Sequence, residues 1–387
     1  MFHTLHHVRI VGVRSAVPTE EVRLEDELAF YGGNAKKVAR LRATLGMDRR
    51  RICPADVTAS DLCAHAAGAL LGAHPEARDE IDALVFVSQT PDWTQPTNAC
   101  ELQQRLGLSR RCAAFDVNQG CSGYIYGLWI GSALIASGAA RQVLLLAGDV
   151  NLVGRDTRNR ITTPIFGDGG SATLLAWDEG ASPLRFGMGT DGREFEAIIR
   201  PGGGARIPLL PDPADNEALF RDLTDPHGNP WRLLNTYMDG GAIFNFTLDV
   251  VPGHLREALA HAHLTERDVD WLILHQANRQ IVDSVASKAG FPPEKAPSAS
   301  FGKYGNLASA SIPVALCDNF GGTGRKPGRM LLCGYGTGLS WGSCLCEVAA
   351  WDCAAPLEYE ADPGRPTRRQ RVERWERILR EERSRHD

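Results

Sequence analysis

The stretch Ala113-Ala114-Phe115-Asp116-Val117-Asn118-Gln119-Gly120-Cys121-Ser122-Gly123 passes from a strand-like apolar run into a helix start rich in small residues, which extends to about Ser137. Cys121 stands at the junction. A thiol there meets the unpaired N–H groups and positive end of the helix, which is expected to favour thiolate over thiol and makes Cys121 a candidate covalent nucleophile. The competing reading is structural, because free cysteines commonly pack as small buried hydrophobes. The other cysteines are read that way.

Two later segments have the same character. Trp271-Leu272-Ile273-Leu274 is an apolar run that ends directly in His275-Gln276-Ala277-Asn278, and the loop Lys303-Tyr304-Gly305-Asn306 leads into a second small-residue helix start from Leu307 to Pro313. A lone histidine at such a place reads as structural. Cys, His and Asn, each at the end of a regular element, read as a site.

Outward from these segments, apolar runs alternate with helical patterns: Val8 to Val13, Ala83 to Val87, Val143 to Gly148, Trp271 to Leu274 and Met330 to Cys333. Alternation of this kind predicts an α/β architecture with largely parallel sheets. The chain also reads as two similar halves. Asp82 to Val87 parallels Asp270 to His275, each followed by a helix ending near Gly107 or Gly290, and Cys121 and Asn306 follow those glycines by about 14 to 16 residues. A duplicated βαβ unit would set the nucleophile of one half against the His and Asn of the other.

At these residues the chain resembles the β-ketoacyl-acyl-carrier-protein synthase III group of thiolase-fold condensing enzymes. The matching stretches are Asp116 to Gly123, Phe166-Gly167-Asp168-Gly169, His275 to Asn278, Gly305-Asn306 and Gly334 to Ser343, in an order and spacing that cover roughly residues 8 to 350. The resemblance implies a thiolase-like fold of two βαβαβ halves in α-β-α-β-α layers. It implies that Cys121 accepts an acyl group from a thioester of coenzyme A or of an acyl carrier protein, with His275 and Asn306 as partners in decarboxylative condensation with a malonyl thioester. The oxyanion donors would be the backbone N–H groups of Cys121 and Thr337, the latter in Gly336-Thr337-Gly338, where many relatives carry Gly. No bound cofactor and no metal are expected, and a homodimer is.

The resemblance also assigns substrate contacts. Arg160 matches an Arg that relatives place around the adenine ring of coenzyme A, but the Trp that accompanies it has no counterpart in Ala35 to Arg40. Arg279 lies one position earlier than the Arg that commonly follows the catalytic His. Arg40 belongs to the segment from Lys36 to Arg51, with seven basic residues against one acid, which would dock an acidic carrier protein or serve as a solvated helix face. Gln95 sits where initiating relatives project an aromatic from the partner subunit into the acyl pocket. A polar residue there argues against a pocket tuned to acetyl. Asn278 and Asp168 read as anchors of loops and turns rather than as chemical groups.

With 387 residues, 43% hydrophobic and 23% charged, the chain has the composition of a globular enzyme able to bury a large core. A net charge of −5 argues against general nucleic-acid binding, and no apolar run reaches spanning length. Ten irregularly spaced cysteines and a start without a signal-like segment suit the cytoplasm. Neither Cys344-Leu345-Cys346 nor the cluster His3, His6, His7 reads as a metal site.

Residues 1–199 are expected to form the half carrying the nucleophile, 200–235 a Gly/Pro-rich excursion that is either a lid or a plain surface loop, 236–353 the half carrying His and Asn, and 354–387 a charged tail. The tail carries Thr367 and Gln370 as a capping-box pair, Glu373/Arg377 and Glu376/Arg380 at i,i+4 spacing, and an apolar stripe of Val372, Trp375 and Leu379 expected to pack on the body or a neighbouring subunit.

Three other activities compete with condensation. They are transfer of the Cys121-bound acyl group to an alcohol or amine, a non-catalytic partner subunit, and the chemistries of degradative thiolases or hydroxymethylglutaryl synthases. The last pair is disfavoured by Gly334 and Thr90, which stand where a second cysteine and an added glutamate would be expected.

Overall fold

The computed structural model describes residues 1–151, 158–159, 162–225 and 228–386. The first part contains β1 (Phe2–Leu5), β2 (Val8–Pro18), α1 (Ala35–Leu45), α2 (Ala59–Ala73), β3 (Ala83–Val87), α3 (Asn98–Arg105) and β4 (Ala113–Val117). Next come α4 (Gly123–Ala136), β5 (Gln142–Asp149), β6 (Gly169–Trp177) and β7 (Leu184–Thr190). Then follow α5 (Gly240–His261), β8 (Trp271–Leu274), α6 (Arg279–Lys288), α7 (Ser311–Phe320), β9 (Gly328–Gly336) and β10 (Ser340–Val348). The chain closes with β11 (Asp352–Cys353), β12 (Leu357–Tyr359) and α8 (Arg368–His386).

Two sheets result. One runs β11-β2-β6-β5-β3-β4, with β12 also paired to β2; the other runs β1-β7-β10-β9-β8. The pairs β3/β4, β3/β5 and β8/β9 are parallel, and β5 and β3 are apolar on both faces, as strands covered from both sides must be.

The space between the sheets is filled by α4 and α7. Both faces of α4 are buried, with Tyr124, Ile125 and Leu128 in a core that takes Val85, Val143 and Leu145 from one sheet and Ile273, Leu332 and Cys344 from the other. A helix apolar all round is what a central layer requires. Helices α2 and α3 cover the outer face of the first sheet, and α5 and α6 cover the second. The order is therefore α-β-α-β-α, the layered thiolase-like fold.

The sheets do not respect the expected boundary near residue 199. Strands β1 and β7, both from the first half of the chain, complete the second sheet, while β11 and β12 from the far end complete the first. Registry decides this: β7 pairs antiparallel to β10 over Thr190↔Ser340 through Arg185↔Leu345, and β12 lies parallel to β2. The tail thus begins as sheet rather than as an appendage at 354. Strand β4 ends at Val117, short of Gly120, and is only half-buried because it is the edge of its sheet.

The excursion at 200–235 is rooted by Ile198–Ile199 pairing with Tyr237–Met238, which turns its base toward the interior. Lys303 and Tyr304 end a short helix, Ser300–Tyr304, rather than lying in a loop. In α8 the capping pair forms, with Thr367 N–H donating to Gln370 Oε1 at 2.8 Å, but the apolar stripe points away from the body: Val372, Trp375 and Leu379 are 54, 55 and 65% exposed. Glu373 pairs with Arg369 instead of Arg377, and Glu376 pairs with Arg380. Among the described residues no helix is long and apolar enough to cross a membrane.

Candidate active site

After β4 the chain makes a tight turn, Gly123 N–H donating to Gly120 O at 2.7 Å, so that Cys121 sits just ahead of α4 with Ser122 at the N-cap. The Ser122 hydroxyl bonds the Ser340 hydroxyl at 2.7 Å, tying this turn to β10 of the opposite sheet. Cys121 is 8% exposed and packs under the turn that ends β9. Burial pushes its thiol up to about 11, against hydrogen bonds from the backbone and side chain of Thr337, while the charge of Asp149 adds to the rise. The thiolate preference expected from the helix end is therefore not the outcome, because water lost from around the sulfur outweighs the donors that reach it.

His275 follows β8 directly. Its backbone N–H donates to Cys333 O at 2.8 Å and its carbonyl accepts from the Tyr335 hydroxyl at 3.1 Å, while the ring meets the Tyr335 ring edge-on at 5.6 Å. At 1% exposure, burial lowers the imidazole to about 3, so it is neutral at physiological pH. Asn306 is held by a bridge to Phe166: its N–H donates to Ile165 O at 2.9 Å and its carbonyl accepts from Gly167 N–H at 3.0 Å. The side-chain Oδ1 accepts from Ala308 N–H at 3.0 Å, which fixes the amide with its NH2 as the free end.

Cys121, His275, Asn306 and Thr337 line one cavity of about 260 Å³. The structure thus brings together the groups read as nucleophile, enolate donors and oxyanion donors from four separate segments. Gly334 lies against the nucleophile turn so closely that a Cβ there would stand 2.8 Å from Ser122 Cα and 2.9 Å from Cys121 O, which leaves no room for a second cysteine. The Thr90 hydroxyl donates to Asp149 Oδ1 at 3.1 Å, a supporting rather than a reactive position.

Other expected contacts stand apart. Gln95 is exposed on the loop before α3, and Arg40 is exposed on α1. Arg279, at the start of α6, donates to the carbonyls of Arg42 and Ala43 at the end of α1, so its guanidinium fastens two helices. Arg160 lies outside the described residues. Asn278 caps α6 by accepting from Ile281 N–H at 2.9 Å, and Asp168 accepts from Cys53 N–H at 2.8 Å and Asn151 N–H at 3.0 Å; both act as anchors.

Two residues of the cavity wall went unrecognised in the sequence. Asp149, at the end of β5, is fully buried: Oδ1 accepts from Gln89 N–H at 2.8 Å and from the hydroxyls of Ser88 and Thr90, and Oδ2 from Ser309 N–H and hydroxyl at 3.1 and 2.6 Å. It splints the nucleophile's surroundings to the segment just after Asn306. The signal was there, since Asp149 ends a strand as His275 does. The second, Arg200, follows directly on Ile198–Ile199 at the root of the excursion.

Comparison with known proteins bears on this arrangement. The family model for 3-oxoacyl-(acyl-carrier-protein) synthase III matches residues 115–192, and that for the C-terminal part of the same synthase matches residues 259–348. A β-ketoacyl-(acyl-carrier-protein) synthase III of Rhodopirellula baltica is 33% identical over 362 residues, 88% of this chain and 98% of that protein. Among solved structures, a 3-oxoacyl-(acyl-carrier protein) synthase from Burkholderia xenovorans is similar at a TM-score of 0.83 and 34% identity, covering 93% of this chain and 99% of that one. The priming β-ketosynthase of a polyketide biosynthetic pathway is similar at a TM-score of 0.72 and 25% identity, covering 91% of this chain and 98% of that one.

Proposed function

The chain belongs to the 3-oxoacyl-(acyl-carrier-protein) synthase III family of acyltransferases, and from that premise we propose that it loads an acyl group onto Cys121 and then condenses it with a malonyl thioester with loss of CO₂. The observation that carries this reading is the convergence of Cys121, His275, Asn306 and Thr337 on one cavity.

In the first step the sulfur of Cys121 attacks the carbonyl carbon of the incoming thioester. The new S–C bond forms, the carrier's S–C bond breaks, and the thiol proton leaves with the carrier thiol. Because the resting thiol sits near 11, proton loss accompanies substrate arrival rather than preceding it. The N–H groups of Cys121 and Thr337 stabilise the carbonyl oxygen as it becomes negative.

In the second step the bond between the malonyl α-carbon and its carboxylate breaks, CO₂ departs, and the electron pair becomes an enolate. A neutral imidazole and the Asn306 NH2 donate to that oxygen without handing over a proton, since the imidazole is too weakly basic to have arrived charged. The enolate carbon attacks the acyl carbonyl, the C–C bond forms, and the Cys121 S–C bond breaks to regenerate the thiol after proton uptake.

The handle is a coenzyme A or carrier-protein thioester. Exposed Lys36, Lys37 and Arg40 on α1 suit an acidic carrier, and the unpaired edge of β4 suits pairing with a second copy, which would bring Gln95 near the partner's pocket. Ten free thiols suit a reducing cytoplasm.

The test is intact-protein mass spectrometry with acyl thioesters, followed by addition of a malonyl thioester. Wild type gains the acyl mass and then releases a 3-oxoacyl product; Cys121→Ala does neither. Asn306→Ala gains the mass but loses product by on the order of 100-fold. Consumption of the acyl-enzyme by an alcohol or amine with no malonyl requirement would replace condensation with simple acyl transfer.

A further inference from the structure

The cavity holds one cation that the two-step chemistry does not use. Arg200 is the only Lys or Arg among the described residues lining it. Its Nε is buried without a hydrogen-bond partner, and among the described residues no carboxylate forms an ion pair with it. The one carboxylate among the described residues of the same wall, Asp149, already receives donors on both oxygens from Ser88, Gln89, Thr90 and Ser309. A guanidinium stays protonated in proteins even where burial opposes its charge, so the cavity wall carries a positive charge that no ion pair among the described residues meets. Arg200 is half-buried, so its charge has lost part of its hydration, a loss that an anion meeting it would offset.

We propose that Arg200 receives a carboxylate carried by the acyl group that Cys121 accepts, so that the preferred acyl donor is the monothioester of a short dicarboxylic acid. The inference rests on the loading reaction proposed above. During loading the distal carboxylate stays ionised and paired with the guanidinium, while only the S–C bonds at the other end exchange.

Two other anions fit less well. The malonyl carboxylate loses its charge to the enolate during CO₂ loss, so a cation paired with it would stabilise the ground state more than the transition state and slow the step. A phosphate of the carrier arm would sit at the cavity mouth, whereas Arg200 lies within the field of buried Asp149, whose charge also acts on Cys121. Arg200 and Cys121 line the same cavity, so an acyl group held on the sulfur shares that space with the guanidinium. A guanidinium matches a carboxylate with two parallel N–H bonds, so geometry adds to charge.

The experiment compares succinyl- and butyryl-coenzyme A, donors with four-carbon acyl chains that differ by the carboxylate, as rates of mass gain at Cys121 in wild type, Arg200→Met and Arg200→Lys. Wild type loads succinyl faster. The ratio of succinyl to butyryl loading falls on the order of 100-fold in Arg200→Met and less in Arg200→Lys, which keeps the charge but loses the fork. An unchanged ratio in both variants overturns the proposal, as does a wild type that prefers butyryl. If Arg200→Met keeps the ratio but loses malonyl consumption, the cation serves the malonyl carboxylate instead and the proposal fails. Failure of wild type to load either donor would sink the loading reaction itself, a separate outcome. Arg200→Lys guards against a Met variant that does not fold.

Discussion

Gly336 closes on Cys121 so tightly that a Cβ built on it would lie 2.8 Å from the cysteine Cβ and 3.0 Å from the sulfur, at a backbone φ of +151° that side chains rarely adopt. This is where β9 ends and the Thr337 donors begin. Gly336→Ala must therefore push the turn off the nucleophile and displace the Thr337 N–H. We expect a folded protein whose acyl loading falls by on the order of 100-fold, measured as mass gain at Cys121. Normal loading would show that the turn has slack the packing does not suggest.

The buried thiol gives a second prediction. With Cys121 near 11, its thiolate fraction rises about tenfold for each pH unit between 7 and 10. Iodoacetamide labelling of Cys121, read by peptide mass mapping, should climb over that whole range. A plateau already at pH 7 would mean that the helix end and the Thr337 donors outweigh burial after all.

What the sequence disclosed and what it hid follow from range. Cys121 and His275 are legible because each lies just beyond an apolar run, and Asn306 because glycine and a small-residue helix flank it. The thiol's rise was not legible, since the atoms that seal Cys121 come from Tyr335 to Thr337, far along the chain. The same applies to Arg200, which lines the cavity only because the excursion is pinned at its root by Ile198–Ile199 against Tyr237–Met238. The placement of β1 and β7 in the second sheet could not be read either. Their apolar pattern suits both sheets, and only the pairing of β7 with β10 and of β1 with β7 decides. Strand β12 is three residues long, too short for alternation to announce it.

His275 also makes stability depend on pH. The unfolded imidazole titrates near 6.5 and the folded one near 3. Between those values the unfolded chain binds a proton that the folded one refuses, so the contribution is full above 6.5 and is lost as pH falls toward 3. The slope from this one group reaches about 1.4 kcal/mol per pH unit. Urea unfolding at pH 7 and pH 5 should show His275→Asn losing less stability over that interval than wild type. Equal losses would mean that the ring takes up a proton in the folded state.

The tail separates a structural residue from a dispensable helix. Arg365 is ion-paired with Asp61, whose side chain is 2% exposed and which also accepts from Arg105 at 2.8 Å and caps α2 through Thr58. Beyond it, α8 touches the body through Arg368 N–H to Asp56, and its own ion pairs are exposed and worth little. Deleting 366–387 should therefore change unfolding free energy by less than about 1 kcal/mol. Deleting 363–387 also removes Arg365 and leaves Asp61 with one guanidinium instead of two, which should cost about 1–3 kcal/mol more. Acyl loading of Cys121 should survive both, because every described residue lining the cavity precedes Gly338. Equal stability of the two truncations in urea would show that Arg105 alone satisfies Asp61, and loss of loading in a folded truncation would show that the tail reaches the site.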